Sequence, residues 1–217
     1  MKKSVLIIMV FAMLQLPGIA QDASKEIVTT VGKLDKAKTV KDYQELAVNF
    51  LKIAESEKTS WLSWYYAAFC NAKIGWLYQE DGDKIEPFAN LANEQINKSL
   101  SLLDTAKQKK ELSELYCVLA MLNQAKVFMN PATYGREFGP IAFNYIRLAK
   151  KTNPENPRAL YLLGWEKFYT PKAYGGDKAK AKELLTDAKQ KLEINAAVGV
   201  YPHWGKMEVM DLLNQAR

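Results

Sequence analysis

Between Ala142 and Ala188 the chain repeats a spacing that few folds can satisfy. It reads Ala142-x3-Ile146-x2-Ala149-x4-Pro154, then Leu160-x2-Leu163-Gly164, then Ala181-x3-Leu185-x2-Ala188. Small residues recur where one helix must lie close to another, and larger apolar residues recur one turn away. A bulky side chain at the alanine sites would hold the two helices apart. The same spacing appears as Ala47-x3-Leu51-x2-Ala54 and, with serine in the last place, as Ala92-x3-Ile96-x2-Ser99. This recurrence predicts stacked helix pairs, which build concave binding surfaces and seldom active sites.

The chain opens with Lys2 and Lys3, an apolar run of 13 residues from Ser4 to Leu16, and Pro17-Gly18-Ile19-Ala20. The run is too short to span a bilayer comfortably. Small residues at Gly18 and Ala20 predict a signal peptide, residues 1–20, cut after Ala20. No Cys follows the run, which argues against a lipid anchor. Residues 21–217 then form one helical domain of 197 residues, enough for a substantial core. Loss of the two lysines lowers the formal net charge from +6 to +4. The remaining lysine clusters, Lys33 to Lys41 and Lys107 to Lys110, read as solvated helix faces. Export makes nucleic acid a poor partner, and no later segment predicts membrane insertion. Cys70 and Cys117 each sit in an apolar helical pattern. A buried thiol pair and a disulfide both fit that pattern, and spacing alone does not choose between them.

Breakers divide the rest. They fall at Glu80 to Asp83, Asn130 to Pro140, Asn153 to Pro157, Thr170 to Asp177 and Gly199 to Gly205. Between them helices are predicted at 40–57, 61–79, 84–106, 109–128, 139–152, 157–169, 177–194 and 203–216, after a short one near 25–34. Thr39 with Asp42 forms a capping-box pattern. Ser60 precedes the helix that opens at Trp61. Asn156-Pro157 supplies an N-cap and a first-turn proline, and Asp177 is a further cap. The second helix of each pair begins near 61, 109, 157 and 204, a period of 47 or 48 residues.

Asn153-Pro154-Glu155-Asn156-Pro157 through Leu163-Gly164, followed by Thr170-Pro171 and Tyr174-Gly175-Gly176-Asp177, resembles the tetratricopeptide-repeat superfamily, and within it small exported proteins of Bacteroidetes-type bacteria. The match is good from Ala142 to Ala188, moderate from Ala47 to Cys117 and poor after Gly199. The period is longer than the superfamily's 34 residues, and Lys167 stands where an aromatic is usual. The resemblance implies an all-α solenoid of about four antiparallel helix pairs. The Gly-Gly-Asp loop also resembles the helical periplasmic accessory subunit of tripartite ATP-independent transporters.

In the superfamily's register the first helix of each repeat lines the groove. The register carries Arg158, Tyr161, Trp165 and Phe168 onto that face, with Tyr65, Phe69, Glu114, Cys117 and Met121 from earlier repeats. Aromatic rings with one guanidinium suit an extended peptide or a small amphipathic acid. The same stripe also has the spacing of an ordinary helix core. Trp61, Trp64, Tyr65 and Tyr66 read chiefly as core. The stretch from Asn130 to Pro140, with Tyr134, Arg136 and Phe138, is expected to be a long loop that braces or binds. Gly175-Gly176 lacks the phosphate-loop pattern and supplies a turn. His203 is the only histidine, so no multi-histidine metal site is possible. No nucleophile motif, cofactor motif or metal motif appears. Asn97-Lys98-Ser99 lies within a helix and is a chance match to a glycosylation site. The sequence thus predicts a periplasmic or secreted, non-enzymatic adaptor for a protein or peptide. Its alternative is a small-ligand accessory subunit that holds an organic acid near Arg158.

Overall fold

The computed structural model describes residues 18–194 and 199–216. The apolar run Ser4–Leu16 and its lysines lie outside the described residues, and Gly18–Ala20 form the first residues of helix α1. The helices are α1 (Gly18–Leu34), α2 (Val40–Ser56), α3 (Trp61–Leu77), α4 (Glu86–Ser101), α5 (Lys109–Met129), α6 (Pro131–Thr152), α7 (Pro157–Tyr169), α8 (Lys178–Ile194) and α9 (Lys206–Gln215). Short 3-10 turns cover Gly82–Lys84 and Lys172–Tyr174. Among the described residues there is no strand, so the fold is all-α.

Composition sorts the helices into two layers. In α3 the consecutive residues Tyr65, Tyr66, Ala67, Ala68, Phe69, Cys70 and Asn71 are all buried. In α5 the run Leu112 to Leu115 and the run Cys117 to Asn123 are buried likewise. A helix that is apolar all round must lie at the centre. Accordingly α3 packs on α5, and α5 packs on α7, as an inner layer. The inner helices begin at Trp61, Lys109 and Pro157, which reproduces the 48-residue period. Around them α2, α4, α6 and α8 turn a narrower stripe inward. Its small residues are the expected ones: Ala47, Ala54, Ala92, Ser99, Ala142, Ala149, Ala181 and Ala188 are all buried.

The contacts divide the chain differently from the expected four pairs. The broadest packing joins α2 to α3, α3 to α4, α5 to α6 and α7 to α8, whereas α4–α5, α6–α7 and α8–α9 touch less. The reason is the alanine stripes. Each outer helix nests most closely on the inner helix that precedes it, except α2, which must nest on the one that follows.

The caps form largely as the sequence predicts. Asp42 Oδ2 accepts from the Thr39 N–H at 2.9 Å, and Thr39 Oγ1 accepts from the Asp42 N–H at 3.2 Å. Asn156 Oδ1 accepts from the Arg158 N–H, and Asp177 Oδ1 from the Lys180 N–H. Ser60 occupies its N-cap without a side-chain bond.

A further expectation fails. From Pro131 to Pro140 the stretch is helix, the start of α6, with Asn130 as its N-cap. Asn130 accepts from the Thr133 N–H, and Pro131 stands in the first turn. This is the signal that opens α7, and Gly135, Gly139 and Pro140 masked it in the sequence. Pro140 within α6 forfeits one helical hydrogen bond. The broad packing of α6 on α5 offsets that loss.

Candidate functional site

The four predicted site residues separate into two groups. Arg158 and Tyr161 face the interior of the inner layer, with 6% and 5% exposure. Arg158 donates from Nε to Glu114 Oε2 and from Nη2 to Glu114 Oε1, both at 2.6 Å. This two-pronged geometry matches the planar guanidinium to the carboxylate. Burial works against the charge on Arg158, but the charge and bonds of Glu114 outweigh it and hold the group above its ordinary value. Tyr65 donates to Glu114 Oε2 at 3.5 Å, and Trp204 Nε1 donates to Tyr65 Oη at 2.7 Å. Tyr161 meets the Trp204 ring edge-on. The carboxylate that Arg158 was expected to take from a ligand is therefore supplied by the protein itself. Phe69, Cys117 and Met121 are buried in the same core.

Trp165 and Phe168 lie elsewhere, half-buried at the surface. Trp165 rests on Trp76 of α3 at 4.9 Å between ring centroids, and on Phe128 of α5 at 6.2 Å. Trp76 and Phe128 meet edge-on at 5.9 Å. Trp165 also meets Tyr169 at 4.9 Å, and Tyr169 meets Phe168 at 5.0 Å. Five rings from three inner helices thus form one continuous aromatic face. Four are half-buried, and Tyr169 is 50% exposed. The indole N–H of Trp76 is fixed on the Met121 carbonyl at 2.8 Å, which locks that ring.

Beside the face opens a cleft of about 790 Å³, lined by Phe168, Tyr169, Pro171, Lys172, Asp177 and Lys178. Lys178 Nζ stands 5.1 Å from the centre of the Phe168 ring. The loop that shapes the cleft is held rigidly. Gly175 adopts φ +94°, a left-handed turn that glycine makes without strain. A Cβ on Gly176 would fall 1.7 Å from the Thr170 carbonyl oxygen, so only glycine fits there. Lys167 Nζ donates to the Gly175 carbonyl, and the Asp177 N–H to the Lys167 carbonyl. Lys167 thus ties the loop to α7.

Trp165 and Phe168, singled out in the sequence, lie on this face, which also takes in Trp76, Phe128 and Tyr169. Tyr169 stands one turn beyond Trp165 and was legible from that spacing. Trp76 and Phe128 stand at different depths in α3 and α5, so no repeat register aligns them with Trp165. Tyr134 and Phe138 pack on each other on α6. Trp61, Tyr65 and Tyr66 pack in the core with Tyr201. The two ring nitrogens of His203 face the Tyr201 carbonyl and Asp35 Oδ1, at 2.8 and 2.7 Å. Among the described residues no cluster of three His, Cys, Asp or Glu could hold a metal ion. Nor is any described helix long and apolar enough to cross a membrane.

Among solved structures the chain is similar to the HusA haemophore from Porphyromonas gingivalis. The TM-score is 0.77 at 26% identity, covering 94% of this chain and 96% of that one. No family model matches the chain, and no curated protein matches it. The likeness extends over nearly the whole of both chains.

Proposed function

We propose that this protein is an exported, non-enzymatic carrier of a flat, aromatic, anionic ligand of the haem type, held on the face Trp76–Phe128–Trp165–Tyr169–Phe168. The observation that carries this reading is five contiguous rings left partly open to water beside a lysine-bearing cleft. Leaving such rings exposed forgoes burial energy, and a contiguous apolar patch marks a binding site. A porphyrin offers two broad apolar faces to stack on them and carboxylates for Lys172 and Lys178. Haem here is cargo. The five rings offer no imidazole or thiolate to its iron, and the one oxygen ligand among them is the Tyr169 phenol, with stacking and charge supplying the rest of the grip. The similarity to a haemophore supports the same ligand class. We also take residues 1–20 as the export signal, residues 21–217 as the mature domain, and the 48-residue period as a lengthened tetratricopeptide-type stack.

The test is a titration of the mature protein with haemin, followed in the porphyrin absorption band. Saturable binding is expected, weakened about tenfold or more by Tyr169→Ala and by the pair Lys172→Glu, Lys178→Glu. Affinity unchanged in both variants overturns this site.

A second reading keeps the protein or peptide partner. It is favoured by Tyr174, which stands 82% exposed at the margin of the cleft. Native mass spectrometry of the protein from its own cell envelope separates the two. A bound polypeptide favours the adaptor, and an added mass of a few hundred daltons favours the carrier.

A further inference from the structure

A second cavity lies on another side of α5. Helices α4 and α6 both pack on α5 but scarcely touch each other, and a trough lies between them over a strip of α5 whose Leu112 and Leu119 are each 6% exposed. The strip carries Leu112, Tyr116 and Leu119, whose spacing places them on one stripe. At about 100° per residue Phe128 falls on the other side of the helix. The trough is therefore separate from the aromatic face. It encloses about 750 Å³, walled by Leu100 on one side and by Pro140, Ile141 and Leu148 of α6 on the other. Its lining is mainly aliphatic, from Leu100, Leu112, Leu119, Pro140, Ile141 and Leu148, and Ile141 is left 40% exposed; Thr105, Asn144 and two tyrosines make up the rest beside Lys109. The rings of Tyr116 and Tyr145 stack at 6.0 Å between centroids, and neither hydroxyl bonds to a described residue. At the opening of α5 stands Lys109, whose ammonium meets only the Thr105 carbonyl, at 2.8 Å, among the described residues.

We infer that this trough binds a single-chain amphiphile with a carboxylate head, a fatty acid anion, with the alkyl chain along Leu112–Leu119 and the carboxylate at Lys109. The charge at one end calls for an anion, and the aliphatic walls call for hydrocarbon. From Lys109 to Leu119 the stripe runs about 15 Å at 1.5 Å per residue, the reach of a medium alkyl chain. The volume of the trough falls in the range of small-molecule sites. The site does not depend on the haem reading.

The test uses the mature protein and laurate below its micelle concentration, measured by calorimetry. One saturable site is expected. Lys109→Glu should weaken laurate about tenfold, and should leave the neutral dodecanol unchanged. Ile141→Glu, at an exposed wall position that the fold does not need, should abolish both. Haemin binding should survive in each variant. Three results would overturn the inference. They are no saturable laurate binding, dodecyltrimethylammonium binding as tightly as laurate, or haemin affinity that falls with Ile141→Glu. The last would place haemin in the trough. Loss of haemin binding in the Tyr169→Ala protein, with laurate affinity intact, would separate the two sites.

Discussion

Arg158 and Glu114 form a two-pronged ion pair, at 2.6 Å in both prongs, between α7 and α5 in the interior of the protein. Glu114 is also reached by Tyr65 of α3, and Tyr65 by Trp204 ahead of α9. One buried carboxylate therefore ties the three inner helices and the C-terminal segment to a single register. Two charges out of water cost much of what their attraction returns. The pair accordingly contributes more to which arrangement forms than to how stable it is.

Removing one partner leaves the other charge stranded. Arg158→Met or Glu114→Gln should each cost about 3–5 kcal/mol of stability. The double variant should recover a large part of that. Urea unfolding of the four proteins closes the cycle, and simple addition of the two single losses would mean that the pair is not coupled.

Ala149 lies fully buried in the α6 stripe, and its carbonyl accepts from Ser113 Oγ at 2.8 Å. Ala149→Trp should force α6 off α5 and lower the melting temperature by several degrees or abolish folding, the overpacking cost being about 1–3 kcal/mol or more. An unchanged melting curve would contradict the close approach of these two helices.

Glu208 on α9 meets Lys73 on α3 at 2.7 Å. Burial tends to raise its carboxyl, but Lys73 and nearby backbone N–H groups outweigh that and hold it below the ordinary 4.5. A depressed folded value means that ionisation favours folding. The contribution is whole above about pH 4.5 and fades as pH falls through the lower folded value. Guanidinium unfolding at pH 7 and pH 3.5 should show a stability loss on acidification that Glu208→Gln reduces. An equal pH response in the two proteins would count against the bond.

Cys70 and Cys117 are both buried and unpaired, so the disulfide that the sequence left open does not form. Asn156 Nδ2 reaches Cys117 Sγ at 3.7 Å, and burial pushes both thiols up. A thiol-specific disulfide reagent should find no reactive thiol in the native protein and two in denaturant. Rapid labelling of the native protein would show that the inner layer opens readily.

The sequence by itself determined the elements. Alanines at four-and-three spacing, caps such as Thr39–Asp42 and Asn156–Pro157, and the 48-residue period are local signals, because a helix reads its own neighbours three and four residues away. The same signals put Ala149 and Ala188 against a partner helix before any partner was known. Locality also explains the error at Asn130 to Pro140. Glycines and a proline argued for a loop there, and packing on α5 kept the helix. Tertiary structure alone decided which helix each stripe would meet, and what became of residues able to serve either core or groove. Arg158 has the chemistry of a ligand grip, and the arrival of Glu114 from 44 residues away turned it into a buried tie. Trp76, Phe128 and Trp165 carry no common register, and three helices had to be stacked before their rings met. Burial and charge pairing are settled by groups far apart in the chain, so no window of sequence contains them.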